Sequence, residues 1–388
     1  MGTASAVWPM RGTLVASAVL TPTGPYMETP IMLQITRPIN DRLCVGIDLH
    51  KDTLTAAALA PSTGEVVFTK LACKCRQQIA EHFSALPPTC IVAIESVGFY
   101  RWLWDLLTPI VGDLRLADAT QCRALAGRRI KTDREDALNV AELVAAGRLP
   151  ESWAPPVEVS ALRDVTRHRH YLSRQHARVL HRVKAIMGQV NRPGPARLKA
   201  AGLQKYVKAQ SEILPGHLID QLEMAVDELV LLERQVDRID VRLKTTLMTP
   251  RFADTAQRLM SFPGVKWVIA GAVIAEVGDF RRFDHRDGLT RYAGLDPRVF
   301  SSAETTRTGK IAKCGSGELR WALVQAAWVA VRCDEGYRKL WLRIKKRSDG
   351  KRAIIAIARR LLLAMRSAEL NQTIYRPRNE PGVGEHAA

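Results

Sequence analysis

LCVGIDLHKDTLTAAAL, residues 43–59, is the stretch that decides the fold. Its opening run, LCVGID (43–48), is apolar up to a terminal acid, Asp48, and a second β-prone run, TLTAAAL (53–59), follows after a short polar break. Two such runs joined this closely read as neighbouring antiparallel strands. A third run, EVVFTK, comes directly after the turn residues Pro61, Ser62 and Gly64, which makes the three a meander.

Downstream the pattern changes from strands alone to strands alternating with helices. A helical stretch near Gln77–Ala85 precedes the fully apolar run CIVAIE (90–95), a second helical stretch passes through Trp102 and Leu106, and LRLADA (114–119) forms one more short strand. A helix from Asp133 to about Ala146 is stopped by Gly147 and Pro150. Three antiparallel strands followed by βα units match the ribonuclease-H-like arrangement, a mixed sheet covered by helices. The expected class is therefore α/β plus α, with this sheet domain over residues 41–155.

Residues 156–250 read as a helical connector. Leu162, Val165, Leu172, Val179, Val183, Ile186 and Val190 recur at helical spacing, and Arg163, Arg167, Arg174, Arg178 and Arg182 recur on the same segment at steps of four and seven. NRPGP (191–195) must break that helix. A second long helix carries Leu218, Leu222, Ala225, Leu229, Leu232, Val236, Ile239 and Leu243 at alternating steps of four and three, a heptad seam. Either an antiparallel hairpin with the preceding helix or a dimeric coiled coil satisfies such a seam, and its regularity favours self-association. Residues 251–370 are expected to form a mainly helical second globular domain with a glycine-rich, basic loop near 294–318. Residues 1–40 and 371–388 are expected to be a disordered extension and tail, and Met27 or Met32 could be the true start.

Charge points to the partner. The chain carries 57 basic and 39 acidic residues, a net +18 with a pI near 9.9. Residues 161–200 hold ten Lys or Arg against one acid and residues 331–360 hold eleven against three, so two windows account for nearly the whole excess. A merely solvated surface intersperses both signs, whereas this concentration suits a polyanion, nucleic acid first. The most apolar window, Ala353–Met365, is interrupted by Arg359 and Arg360, which excludes a membrane span. Seven cysteines without paired spacing suggest neither a disulfide framework nor a zinc site, and the histidines 168, 170, 176 and 181 lack acid or thiol partners in their segment. A reduced, cytoplasmic, nucleoid-associated protein is expected.

Four acids stand where a ribonuclease-H-like sheet brings carboxylates together. Asp48 ends the first strand, Glu95 ends CIVAIE, and Asp133 and Asp136 stand three apart at the start of a helix, on one face. Clustered carboxylates repel unless divalent cations neutralise them, and oxygen-bound Mg2+, or Mn2+, suits phosphodiester chemistry. Asp118 and Glu135 are weaker candidates, the latter turned about 100° from Asp136. The start GIDLHKDT is also similar to the nucleotide-binding strand of actin-like and sugar kinases, but it has no glycine after Asp48 to admit a phosphate.

VGIDLHKDTL, AIESVGFYRWL and RRIKTDREDALNVAELVAAGRLP, in that order, resemble the DEDD transposases of bacterial insertion sequences, whose N-terminal domain is similar to the Holliday-junction resolvase RuvC. The block from Phe262 to Trp328 resembles that family's C-terminal transposase domain, so the likeness covers about residues 42–370. The resemblance implies a metal-binding set of Asp48, Glu95, Asp133 and Asp136 and a nucleophilic serine at Ser302, with Ser301 beside it. Alone, a serine in a glycine- and lysine-rich loop is an ordinary hydroxyl; the resemblance singles it out. Arg298, Lys310, Lys313 and Arg320 are close enough in sequence to steady a phosphorane-like transition state. The family commonly has glycine after that serine, where this chain has Ala303, and Gly315-Ser316 replaces the usual Gly-Asn. Also implied are donor and target DNA, a structured guide RNA encoded beside the gene, for which the basic helix Arg163–Lys184 is the expected seat, and a dimer or tetramer with a composite active site.

Overall fold

A computed structural model of the chain describes residues 31–32, 41–126, 132–196, 198–301, 306–311 and 315–377. The chain divides into two compact units after Ala154.

In the first unit, β1 (Ile31–Met32), β2 (Cys44–Leu49), β3 (Thr53–Ala60), β4 (Glu65–Ala72), β5 (Ile91–Glu95) and β6 (Asp113–Ala117) form one sheet in the order β1-β4-β3-β2-β5-β6. β2, β3 and β4 are the expected antiparallel meander, while β5 and β6 add in parallel. Helices α1 (Arg76–Ser84), α2 (Arg101–Leu107), α3 (Ala119–Ala126) and α4 (Asp133–Ala145) accompany it. The mixed sheet with its helices agrees with the ribonuclease-H-like expectation.

Strand parity sorts the side chains onto two faces. Val45, Ile47, Leu49, Val92 and Ile94 join Ile79 and Phe83 of α1 and Leu103 and Leu107 of α2 in one core cluster. Cys44, Ala57, Leu59, Val66, Phe68, Ile91 and Ala93 join Ala137, Val140 and Ala141 of α4 in the other. Asp48 on β2 and Glu95 on β5 have the parity of Cys44 and Ile91, so both belong to the α4 face. β2 lies at the centre, every residue buried, and Gly46 lets α4 sit directly on it. A Cβ at Gly46 would come within 2.1 Å of the Ala137 carbonyl oxygen and 2.6 Å of the Ala141 nitrogen, both helix backbone that cannot step aside locally.

The second unit is built on two long helices, α5 (Val157–Gln189) and α7 (Gly216–Leu247), with α6 (Ala200–Gln210) between them. They run antiparallel: Arg169 meets Asp240, His176 meets Glu233 and Arg182 meets Glu228, the partner receding along α7 as α5 advances. The heptad residues Leu218, Leu222, Ala225, Leu229 and Leu232 are buried against Leu172, Val179, Val183 and Ile186 of α5 and Leu203 and Val207 of α6. The seam is thus covered within the chain by the hairpin and by α6, unforeseen in the sequence, while its last residue, Leu243, packs near Gly271.

Helices α8 (Ala253–Met260), α9 (Trp267–Val277), α10 (Arg286–Tyr292), α11 (Gly317–Cys333), α12 (Glu335–Lys345) and α13 (Gly350–Leu370) complete this unit. α9 is apolar nearly all round, as a central helix must be. The segment expected to be a basic loop contains an antiparallel hairpin instead, β7 (Pro297–Ser301) with β8 (Thr306–Ile311). Val299, Phe300 and the Thr-Arg-Thr run of β8 supply the β-prone residues that glycine and lysine content concealed.

The Gly46 contact makes a direct stability prediction. Gly46→Val should lower the free energy of unfolding of the first unit by about 3 kcal/mol or prevent its folding, as overpacking against fixed backbone does. Denaturant unfolding checks this, and an unchanged midpoint would contradict it.

Candidate active site

The α4 face carries a cluster of ionisable groups at the C-terminal end of β2. Asp48 is 4% exposed and Glu95 6%, and the two stand at the ends of adjacent parallel strands whose preceding residues, Ile47 and Ile94, are in register. α4 begins where it does because Thr132 caps it, its side chain accepting from the Glu135 backbone N–H. Asp133, Glu135 and Asp136 occupy the first turn, suited to the helix dipole. Burial pushes the Asp48 carboxyl from its ordinary 3.8 up to about 6; His50 opposes this, while the charges of Glu95, Asp136 and Asp133 reinforce it. The other three predicted acids therefore all lie near enough to Asp48 to act on its charge.

Three residues that the sequence reading did not assign belong to the same face. His50 Nε2 lies 3.0 Å from Asp48 Oδ2 and 3.2 Å from Asp133 Oδ1. Lys70 Nζ lies 3.4 Å from Asp133 Oδ2, and Thr55 pairs with Asp48 across β2 and β3. Parity was the available signal: His50 is two residues beyond Asp48, and Lys70 two beyond Phe68, so each shares its predecessor's face. An open cleft of about 440 Å3 adjoins, lined by Thr55, Phe68, Thr69, Lys70, Thr132, Asp133 and Arg134.

Asp48 Oδ2 and Thr55 Oγ1 are buried without a hydrogen bond, although His50 Nε2 stands 3.0 Å from Asp48 Oδ2. A buried oxygen in that state calls for an electropositive partner. Asp48, His50 and Asp133 each present a donor atom, all within 4.8 Å of one another, so the residues present fit a divalent cation. Glu95 is contacted by Arg123 at 3.5 Å. Asp118, by contrast, accepts from the backbone N–H of Thr120 and Gln121 and caps α3.

In the second unit the five predicted arginines separate into two groups. Arg163 donates to the Ala275 and Glu276 carbonyls, and Arg167 makes a bidentate pair with Glu276 at 2.9 and 3.2 Å. Arg163 is largely buried and Arg167 half-exposed, and both turn towards Glu276, which is 1% exposed and needs compensation. Arg174 and Arg178 are exposed, and Arg182 pairs at the surface with Glu228. Arg320 is half-buried and reaches the Ala293 carbonyl. Arg298 lies on β7 and Lys310 on β8, while Ser302 and Lys313 fall outside the described residues.

Glu276 also anchors the return from the β7–β8 hairpin. Ser316 Oγ donates to Glu276 Oε2 at 2.9 Å while accepting from the Leu319 N–H as the N-cap of α11. A serine can thus cap here as an asparagine would. Gly315, with φ of +96°, packs where a Cβ would come within 2.2 Å of the Tyr292 carbonyl oxygen, so glycine is required.

Two family models match the chain, one for a DEDD transposase over residues 45–192 and one for the IS116/IS110/IS902 transposase family over residues 256–342. A Pseudomonas aeruginosa protein named "Probable family 20 transposase" is 28% identical over 86% of this chain and 98% of its own length. The transposase for insertion sequence element IS1111A of Coxiella burnetii is 22% identical over 83% of this chain and 88% of its own. That for IS1328 of Yersinia enterocolitica is 23% identical, over 74% and 83%.

The raised Asp48 carboxyl fixes the sign of a pH effect. Between about pH 4 and 6 the folded chain keeps a proton that the unfolded chain has lost, so stability falls as pH rises through that window and stays low above it. In chelator, Asp48→Asn should melt above the parent at neutral pH and level with it at the acid end; equal melting at every pH would contradict this. Glu276→Ala should cost about 1.5–3 kcal/mol by removing the acceptor of Arg167 and Ser316 and the acid beside the largely buried Arg163, measured by denaturant unfolding.

Proposed function

Because the chain belongs to the DEDD transposases of the IS110 type, enzymes that act on DNA phosphodiester bonds, we propose that it joins DNA strands through a serine nucleophile, Ser302, and a divalent-metal site. The observation that carries the metal half is the buried, unsatisfied Asp48 carboxylate facing Asp133 and flanked by Glu95 and Asp136. Asp48, Glu95, Asp133 and Asp136 hold Mg2+ or Mn2+, which when bound lowers the cost of charge developing on the phosphodiester oxygens.

The serine Oγ forms a bond to phosphorus as the bond from phosphorus to a deoxyribose oxygen breaks, and the serine proton passes to that leaving oxygen, which departs with the other DNA end. The phosphoserine link keeps the broken strand attached until the leaving oxygen of another strand reverses the step. Arg298, Lys310, Lys313 and Arg320 supply positive charge to the hairpin segment that bears Ser302. Glu276, through Ser316, holds the C-terminal end of that segment in place.

The outer arginines of α5, Arg174, Arg178 and Arg182, contact phosphates, while Arg163 and Arg167 hold α5 to α9. The partners are donor and target DNA together with a structured RNA encoded by the element, which selects the sites; phosphate and shape contacts of this kind need little sequence specificity. The working assembly is a homo-oligomer, with carboxylates from one copy serving the serine of another. Its interface lies on surfaces other than the α7 seam, which the hairpin already covers.

Purified protein with its co-purifying RNA and element-end DNA tests this reading. The parent should yield an SDS-resistant protein–DNA adduct, Ser302→Ala none, and Asp48→Ala at least about a hundredfold less strand transfer. Recombination by both variants at the parental rate would overturn the proposal. Cleavage by the parent and by Ser302→Ala, without any adduct, would replace it with a metal-dependent junction endonuclease.

A further inference from the structure

The geometry points to His50 Nε2 as a direct ligand of the divalent ion, making the site a mixed nitrogen–oxygen site that takes Mn2+ in preference to Mg2+. This rests on the carboxylate site proposed above and adds to it a residue outside the four acids.

His50 is placed by backbone, and its ring does not reach the acids from a flexible loop. Its N–H donates to the Thr53 carbonyl, closing the turn between β2 and β3, and its own carbonyl accepts from Cys73 Sγ. The Cys73 N–H in turn donates to the Asp52 carbonyl, which ties the end of β4 to the same turn. With the turn held, strand parity delivers the imidazole to the side of Asp48.

The separations suit shared coordination. Two ligands in adjacent octahedral positions with metal bonds of about 2.1 Å lie about 3.0 Å apart. Nε2 is 3.0 Å from Asp48 Oδ2 and 3.2 Å from Asp133 Oδ1. The oxygen that His50 faces is itself left unsatisfied: Asp48 Oδ2, on a side chain 5% exposed, has no hydrogen bond. His50 is half-exposed, so the ring can rotate slightly to admit an ion without disturbing the core.

Ligand type then sets the metal. A site of carboxylates alone suits Mg2+, which binds reluctantly to nitrogen, whereas one imidazole among carboxylates favours first-row transition ions. Mn2+ tolerates both donor types and the octahedral arrangement.

The test uses the full-length chain without a histidine tag. Mn2+ binding is followed by EPR, and pulsed EPR is used to detect 14N coupled to the bound ion, in the parent, His50→Ala, His50→Gln and Asp48→Asn. The parent should show 14N coupling from one coordinated imidazole. Both His50 variants should lose it and bind Mn2+ at least about tenfold more weakly, with a smaller change for Mg2+ in competition. Thermal melting in chelator confirms that the variants fold. Coupling that is absent from the parent or persists in His50→Ala overturns the assignment. So does undiminished Mn2+ binding by both His50 variants; if Asp48→Asn alone then loses the ion, the carboxylate site stands without His50. A parent that binds no Mn2+ contradicts the carboxylate site and the inference together.

Discussion

The first unit depends on the seating of a helix backbone on a strand backbone at Gly46. Because Gly46 places no side chain under α4, the helix backbone sits close to β2, and Asp133 approaches Asp48 closely enough for His50 to contact both. Chain segments far apart in sequence meet there through one missing Cβ. The same closeness buries Asp48, which makes its charge costly and raises its affinity for a proton. A fold that stores a carboxylate in that condition is less stable than it could be, as is usual where a site is built to receive a cation.

The second unit solves a related problem with ionic contacts. α9 is apolar except for Glu276, and that single acid holds Arg163 inward, pairs with the half-exposed Arg167 and accepts from Ser316. Arginines that look alike in sequence therefore divide by height along α5. Those facing α9 hold the scaffold together, and those farther along remain at the surface. The loss of Glu276 would reach both α5 and, through Ser316, the N-terminus of α11.

Much of the sheet was legible because its strands are short, apolar and bounded by Pro and Gly, and because Asp48 and Glu95 end apolar runs that require burial. The helix bearing Asp133 and Asp136 was legible from its stop at Gly147 and Pro150. His50 escaped notice because the reading took acids by residue type and not by strand face, although the same parity that pairs Cys44 with Asp48 includes it. The heptad seam of α7 could not disclose its partner, since an apolar stripe is equally satisfied by α5 or by another chain; only the contacts to Val179, Val183 and Ile186 show which. Likewise nothing in the spacing of Arg163 and Arg167 revealed Glu276, which lies more than a hundred residues away. The β7–β8 hairpin was hidden by the glycines and lysine that flank it, Gly294, Lys313, Gly315 and Gly317, which usually mark a loop.

The metal site holds these observations together, and anomalous diffraction from crystals of the full chain soaked in Mn2+ examines it most directly. A peak bounded by Asp48 and Asp133 on the α4 face, with Glu95 or Asp136 also oriented towards it, is the expected result. Crystals that diffract well and show no such peak, or show manganese only elsewhere on the surface, would contradict it.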